Sequence, residues 1–166
     1  WYICDEWEGG ILLRFGKYKK TFGPGIGFKI PFADSIWKHA VITQSIDLPP
    51  QSLTTLDGKN IVVKAIIRFS VSDIKTFLTK ISQPTDVLID TTGGMIRDIV
   101  EETNWEDIVD LDEKLTREVG GFIKVWGISV DKVTLTNLQI ANSIRIIQDE
   151  HSMSRNIPID QNYVNQ

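Results

Sequence analysis

The sequence predicts an α+β fold: an antiparallel-rich β subdomain over residues 1–71, a compact α/β subdomain over 72–138, and a terminal helix with an irregular tail over 139–166. Three observations carry this reading. Apolar and polar residues alternate from Ile61 to Val71, the period of a half-buried strand. After Ser72 the apolar spacing lengthens to the three-and-four of helices. The order of elements, strands first and then helix, helix, strand and helix, segregates the two kinds of structure as α+β folds do.

The elements follow in order. Ile11-Leu12-Leu13 forms a short apolar stretch closed by Arg14-Phe15-Gly16, and Lys17-Tyr18-Lys19-Lys20 is a basic tip. Gly23-Pro24-Gly25 reads as a type II turn, with Pro24 presetting φ and Gly25 supplying a positive one. Ile26 to Ile30 returns as a strand, and Pro31 stops it or places it at an edge. Ile36 to Leu48 is a longer extended segment ended by Pro49-Pro50. Asp57-Gly58 marks a reverse turn before the best strand, whose face carries Ile61, Val63, Ala65, Ile67, Phe69 and Val71.

Ser72 or Asp73 caps a short helix holding Phe77, Leu78 and Ile81. Pro84 opens a second helix, with Leu88, Met95, Ile96 and Ile99 at helical spacing to about Glu102. Asn104-Trp105-Glu106 forms a joint. A third helix starts near Leu111 and carries Leu115, Val119, Phe122 and Trp126 on one stripe, with Gly127 as its C-cap. Ile128 to Leu138 alternates as a strand. Gln139 to His151 resumes helix, which Asn156-Ile157-Pro158 ends.

Composition limits the classes of function. The 166 residues carry 42% apolar and 24% charged side chains and a net charge of −4, the range of a folded globular domain. Lys and Arg are scattered among the acids, which gives no electrostatic reason to expect nucleic acid. The single Cys4 excludes an intrachain disulfide. Beside Trp1, Tyr2 and Trp7 it reads as a small apolar residue at the domain edge, with membrane-proximal acylation as the alternative.

A search for chemistry finds no catalytic constellation. His39 and His151 lack a Cys, Glu or second His at metal-ligand spacing and read as edge histidines. The glycine-rich 23–27 segment lacks the Lys-Ser/Thr and the following helix of a phosphate loop. The run from Glu101 to Glu113 lacks the spacing of a Ca²⁺ loop and reads as a solvated helix–loop–helix surface. The expectation is a protein that is not an enzyme and takes no cofactor or metal.

Surface material remains. Phe22, Ile26, Phe28, Ile30 and Phe32 gather around tight turns, either as sheet core or as an edge dipping into a bilayer interface. Trp1-Tyr2-Ile3 matches the aromatic water-side edge of a membrane segment. Gly93-Gly94 and Gly120-Gly121 interrupt two amphipathic helices, each pair costing roughly 1–2 kcal/mol relative to alanine. Glycine there suggests close approach of another backbone, across a subunit or subdomain boundary.

Five segments in order carry a resemblance to a known family. Glu8-Gly9-Gly10-Ile11 through Arg14-Phe15-Gly16-Lys17-Tyr18 resembles the "E-x-G-V-V-x-R-F-G-K" opening of stomatin–prohibitin–flotillin (SPFH, or band-7) proteins. Pro24-Gly25-Ile26-Gly27-Phe28-Lys29-Ile30-Pro31-Phe32 is similar to their "P-G-L-x-F-K-I-P-F". Thr54 to Gly58 with the strand to Val71, then Ile96 to Val100, then Trp126 to Val130, match later parts of the pattern.

The resemblance implies an oligomeric membrane scaffold that organises a membrane microdomain or regulates a membrane protein such as a protease or channel. It implies partners in further copies of the chain and in membrane lipid, and attachment through a hydrophobic segment upstream of Trp1. It places Trp1, Tyr2, Phe22, Ile26, Phe28 and Phe32 as membrane-facing candidates. Gly93, Gly94, Gly120 and Gly121 are the candidates for oligomer contacts. The tail after His151 departs from the family's long Ala/Glu-rich helix, since Pro158 breaks a helix and no heptads follow. The alternative is a soluble adaptor using the same fold to bind one protein partner.

Overall fold

A computed structural model of the chain describes residues 1–140. It contains β1 (Tyr2–Cys4), β2 (Glu8–Arg14), β3 (Lys17–Phe22), β4 (Gly25–Gly27), β5 (Asp34–Ala40), β6 (Gln44–Asp47), β7 (Gln51–Thr54) and β8 (Asn60–Val71). Then follow α1 (Ile74–Lys80), α2 (Pro84–Glu101), a 3₁₀ segment (Trp105–Asp110), α3 (Leu111–Ile123), a 3₁₀ turn (Lys124–Trp126) and β9 (Ile128–Ile140). The architecture is α+β, as the sequence predicts.

The strands form three antiparallel sheets. β1 and β4 make a two-stranded ribbon, and β3-β2-β5 make a second sheet. In the third, β8 is central: β9 pairs along one of its edges from Ile128 to Ile140, while β6 and β7 share the other edge end to end. The break between β6 and β7 falls at Pro49-Pro50, because proline has no N–H for the ladder. Leu48 still donates to Ala65 O at 2.9 Å before the break.

The alternation in β8 sets the main core. Ile61, Val63, Ala65, Ile67, Phe69 and Val71 are all buried in one cluster with Leu88, Ile96 and Val100 of α2 and Leu115, Val119 and Ile123 of α3. Lys64 and Ser70 on the opposite face are half-buried and Arg68 is exposed, the pattern of a sheet covered on one side. α3 also closes the free edge of β9. Val133 N donates to Thr116 Oγ1 at 2.9 Å and Leu135 N to Asp112 Oδ1 at 3.1 Å. Thr116 and Asp112, the latter within the acidic run, thus each satisfy one strand donor that would otherwise lie open.

Several boundaries differ from the sequence reading. The extended segment from Ile36 to Leu48 is two strands in different sheets, split at residues 41–43. The strand expected over Ile26–Ile30 ends at Gly27. Helix was expected from Gln139, yet Gln139 and Ile140 still pair with Val62 and Ile61, so the β8 ladder outlasts the local helical pattern. The rest of that helix, His151 and the break at Pro158 lie outside the described residues. β8 falls in the first unit of the division drawn at 71/72, and its longest ladder joins it to β9 in the second. On α3 the stripe runs 111-115-119-123, so Ile123 is core; Phe122 is exposed and sits edge-on to Trp126.

The caps agree with local chemistry. Asp73 is the N-cap of α1, accepting from Lys75 N at 3.1 Å and Thr76 N at 3.3 Å. Pro84 occupies the first turn of α2. Asp57, in the turn before β8, accepts from Thr55 Oγ1, from Trp105 N at 3.2 Å and from Lys59 Nζ at 3.1 Å. These donors, the Thr55 hydroxyl foremost, lower its pKa to about 2. A carboxylate held below its unfolded value of about 3.9 contributes stability above that pH and loses it as pH falls through about 2. Asp57→Asn is therefore expected to flatten the fall of Tm between about pH 5 and pH 2. Asp34, Asp73 and Glu8, also lowered by their donors, retain part of that fall.

Candidate membrane-facing surface

The first subdomain is layered. Phe22 pairs with Gly10, and Tyr2 of the ribbon lies on it with ring centroids 4.5 Å apart. His39 pairs with the next residue, Gly9, and meets Phe77 of α1 at 4.7 Å. Neighbouring strand residues point to opposite faces. The ribbon therefore covers one face of the β3-β2-β5 sheet and α1 covers the other. His39 is half-buried in this joint, and burial lowers its pKa. Cys4 is buried beneath the ribbon, its thiol donating to Glu8 O at 3.4 Å, and burial raises its pKa.

The outer side of the ribbon is apolar. Ile3 and Ile26 are cross-strand partners, and both are exposed. The period of two carries Trp1 and Phe28 to the same side, where they are 82% and 85% exposed. Tyr2 turns inward instead, its ring lying over the backbone of Gly27, where a Cβ would collide with it. Of the six membrane-facing candidates, Trp1, Ile26, Phe28 and Phe32 are thus exposed. Tyr2 and Phe22 are half-buried and stack on each other, supporting the ribbon from beneath.

Two further aromatics stand at one end of this subdomain. Phe15-Gly16 is the two-residue connection of the β2–β3 hairpin, with φ of 49° and 76°. That turn requires positive φ at both positions, which glycine accepts and phenylalanine accepts poorly. Phe32, between β4 and β5, has φ of 67° and is fully exposed. The two loops are tied together. Phe15 N donates to Ala33 O at 2.8 Å, and Arg14 Nε donates to Asp34 Oδ1 at 2.8 Å. The second Asp34 oxygen accepts from Arg14 Nη2 at 3.2 Å and from Ile30 N at 2.8 Å. Arg14 foremost, and then the Ile30 amide, hold the Asp34 carboxyl below its ordinary pKa.

Sequence reasoning missed Phe15, and it read Ile3 with the membrane-edge opening without making it a membrane-facing candidate. The signals were present: Phe15 precedes a hairpin glycine, and Ile3 shares the parity of Trp1. An L-residue at left-handed φ is destabilised by roughly 1–2 kcal/mol. Here two such residues are large, apolar and solvent-facing, and the Arg14–Asp34 pair and the Phe15 N–Ala33 O bond hold their loops in place.

The glycine candidates separate within each pair. A Cβ on Gly93 would press on the Gln51 amide of β7, and one on Gly120 would touch Val130 Cβ of β9 at 3.5 Å. Both first members face the third sheet, where a methyl group would displace the end of the Gln51 side chain at Gly93 and make ordinary contact at Gly120. Gly94 and Gly121 face open space. Among the described residues no group of three potential metal ligands occurs, and no helix is long and apolar enough to cross a membrane.

Comparison with known proteins gives the lineage. The profile of the SPFH domain / Band 7 family matches residues 2–157. An uncharacterised protein of Methanocaldococcus jannaschii is 24% identical over 147 residues, covering 86% of this chain and 74% of that protein. A stomatin homologue of Pyrococcus horikoshii is 25% identical over 146 residues, 83% of this chain and 53% of the homologue. Human stomatin-like protein 1 is 25% identical over 137 residues, 80% of this chain and 34% of its own length. The segments read from the sequence lie inside the matched span, and the chain belongs to the SPFH domain / Band 7 family.

Proposed function

We propose that this chain is the membrane-resting platform of a non-catalytic scaffold, which packs side by side with further copies and organises or regulates a membrane protein such as a protease or channel. The observation that carries the reading is the outward apolar surface of the first subdomain: Trp1, Ile3, Ile26 and Phe28 on the ribbon, with Phe15 and Phe32 beside it. A soluble globular surface rarely gathers so many large apolar side chains at one end. Similarity to stomatin-like proteins supports the same role.

Gly94 and Gly121 are the proposed contacts between copies, since each leaves open backbone on a helix where alanine would be better. Full-length protein is expected in the membrane fraction and in crosslinked oligomers. Recovery as a soluble monomer would end the proposal. Gly94→Ala and Gly121→Ala are each expected to stabilise the isolated chain by about 1 kcal/mol while reducing crosslinked oligomer. Stabilisation with unchanged crosslinking would remove these glycines from the interface.

A further inference from the structure

We infer that the apolar end of the first subdomain docks on an anionic bilayer surface, with Lys17, Lys19, Lys20 and Lys29 selecting the charge of the lipid head groups. The inference rests on the membrane reading of this face and adds the chemistry of the lipid. Between Arg14 and Asp34 every charged side chain is a lysine. Arg14 and Asp34 neutralise each other in a two-point ion pair. All four lysines are exposed, and none makes an ion pair among the described residues.

This basic stretch sits in a chain of net charge −4, so the acids lie elsewhere. Asp5 and Glu6 follow β1 at the end of the ribbon away from Trp1 and Phe28. The run from Glu101 to Glu113 belongs to the second subdomain. The 15–33 segment is therefore locally basic, and its charge lies in the same stretch of chain as the exposed Phe15, Phe28 and Phe32. Such a field orients a protein toward a negative surface.

Lysines on an edge strand also block strand pairing, which would account for Lys17, Lys19 and Lys20 on β3. That explanation does not reach Lys29, which lies in the loop between β4 and β5, flanked by exposed Phe28 and Ile30. Alternation of lysine with exposed aromatics suits an interface in which rings enter the acyl boundary and ammonium groups stay at head-group level. An acidic protein would match the lysines but would leave the separate protruding rings of Phe15, Phe28 and Phe32 without a common pocket.

The test is co-sedimentation of the 166-residue chain with vesicles of phosphatidylcholine alone and of phosphatidylcholine with about 30% phosphatidylserine. Binding to the anionic vesicles is expected to be stronger by about fivefold per engaged lysine, and the preference is expected to vanish near 0.5 M salt. Lys17→Gln with Lys19→Gln should weaken anionic binding by roughly 25-fold and leave neutral-vesicle binding unchanged. Lys114→Gln with Lys124→Gln makes the same charge change on α3 and its end, and should have no effect.

Equal binding to both vesicles would overturn the lipid selection and leave the membrane reading standing. Equal loss from both lysine pairs would overturn it in favour of bulk charge. No vesicle binding, or capture by soluble polyglutamate alone, would reassign the surface to protein. Fractionation of the full-length protein then decides the membrane reading separately.

Discussion

Replacing Phe15 by Asn and Phe32 by Gly is expected to make the chain more stable and less able to hold a membrane. Both residues sit at left-handed φ, where Asn and Gly are at ease, so each change should relieve about 1 kcal/mol of backbone strain. Neither ring is covered by the rest of the chain, so little packing is lost. Burying a phenylalanine side chain in an apolar medium is worth roughly 1.5–3 kcal/mol. Vesicle affinity should therefore fall at least about tenfold per ring removed. Thermal unfolding and vesicle co-sedimentation on the same preparations read the two effects, and their opposite signs are the test. A purely structural role for the rings would lower Tm. An accidental role would leave vesicle binding unchanged.

The largest effect on stability is expected at Phe77. Among the described residues it is the largest fully buried side chain, and it stands where α1 meets His39 of the β3-β2-β5 sheet. α1 can lie this close because Gly9 of β2 has no side chain; a Cβ there would meet Val41 at 3.0 Å and Ile74 at 3.6 Å. Phe77→Ala should cost about 3–5 kcal/mol, from lost burial and from the cavity left behind. In a domain of this size that corresponds to a fall in Tm of about 10 °C or more. Phe77→Leu keeps most of the volume and should cost less than about 1.5 kcal/mol. Similar losses for the two variants, read by calorimetry, would remove Phe77 from the joint between the first subdomain and the main core.

The main core was legible because β8 carries its own period. Ile61 to Val71 alternate, and the buried set is the one the alternation names. Helix ends were legible from Asp73, Pro84 and Gly127, each of which has a local reason for its position. Strand partners were not, since nothing local tells β6 and β7 that they share one edge of β8. The helix expected from Gln139 failed at its start because the β8–β9 ladder, a tertiary effect, overrode the local spacing.

The surface was half legible. Composition located an apolar end, but parity within a three-residue ribbon decided which side chains face out. Tyr2 and Trp1 are neighbours in sequence and point to opposite sides. Phe15 escaped notice because a hairpin usually places Asn or Asp before the glycine, and a phenylalanine there reads as the end of a strand. The glycine pairs raised the question of close approach. Only the packing assigned Gly93 and Gly120 to the chain's own sheet and left Gly94 and Gly121 facing outward.

The most direct measurement is the depth of individual positions in a bound bilayer. Nitroxide labels placed through Phe28→Cys, Phe32→Cys and Arg117→Cys, each with Cys4→Ala, report relative collision rates with oxygen and with a water-soluble nickel complex. On vesicles containing anionic lipid, the labels at 28 and 32 should show the oxygen-rich signature of the acyl boundary, about 5–10 Å below the head groups. The label at 117, on the exposed face of α3, should remain in water. Labels at 28 and 32 that stay in water while the chain is vesicle-bound, or a label at 117 that lies deeper than either, would contradict the assignment of this surface to the membrane.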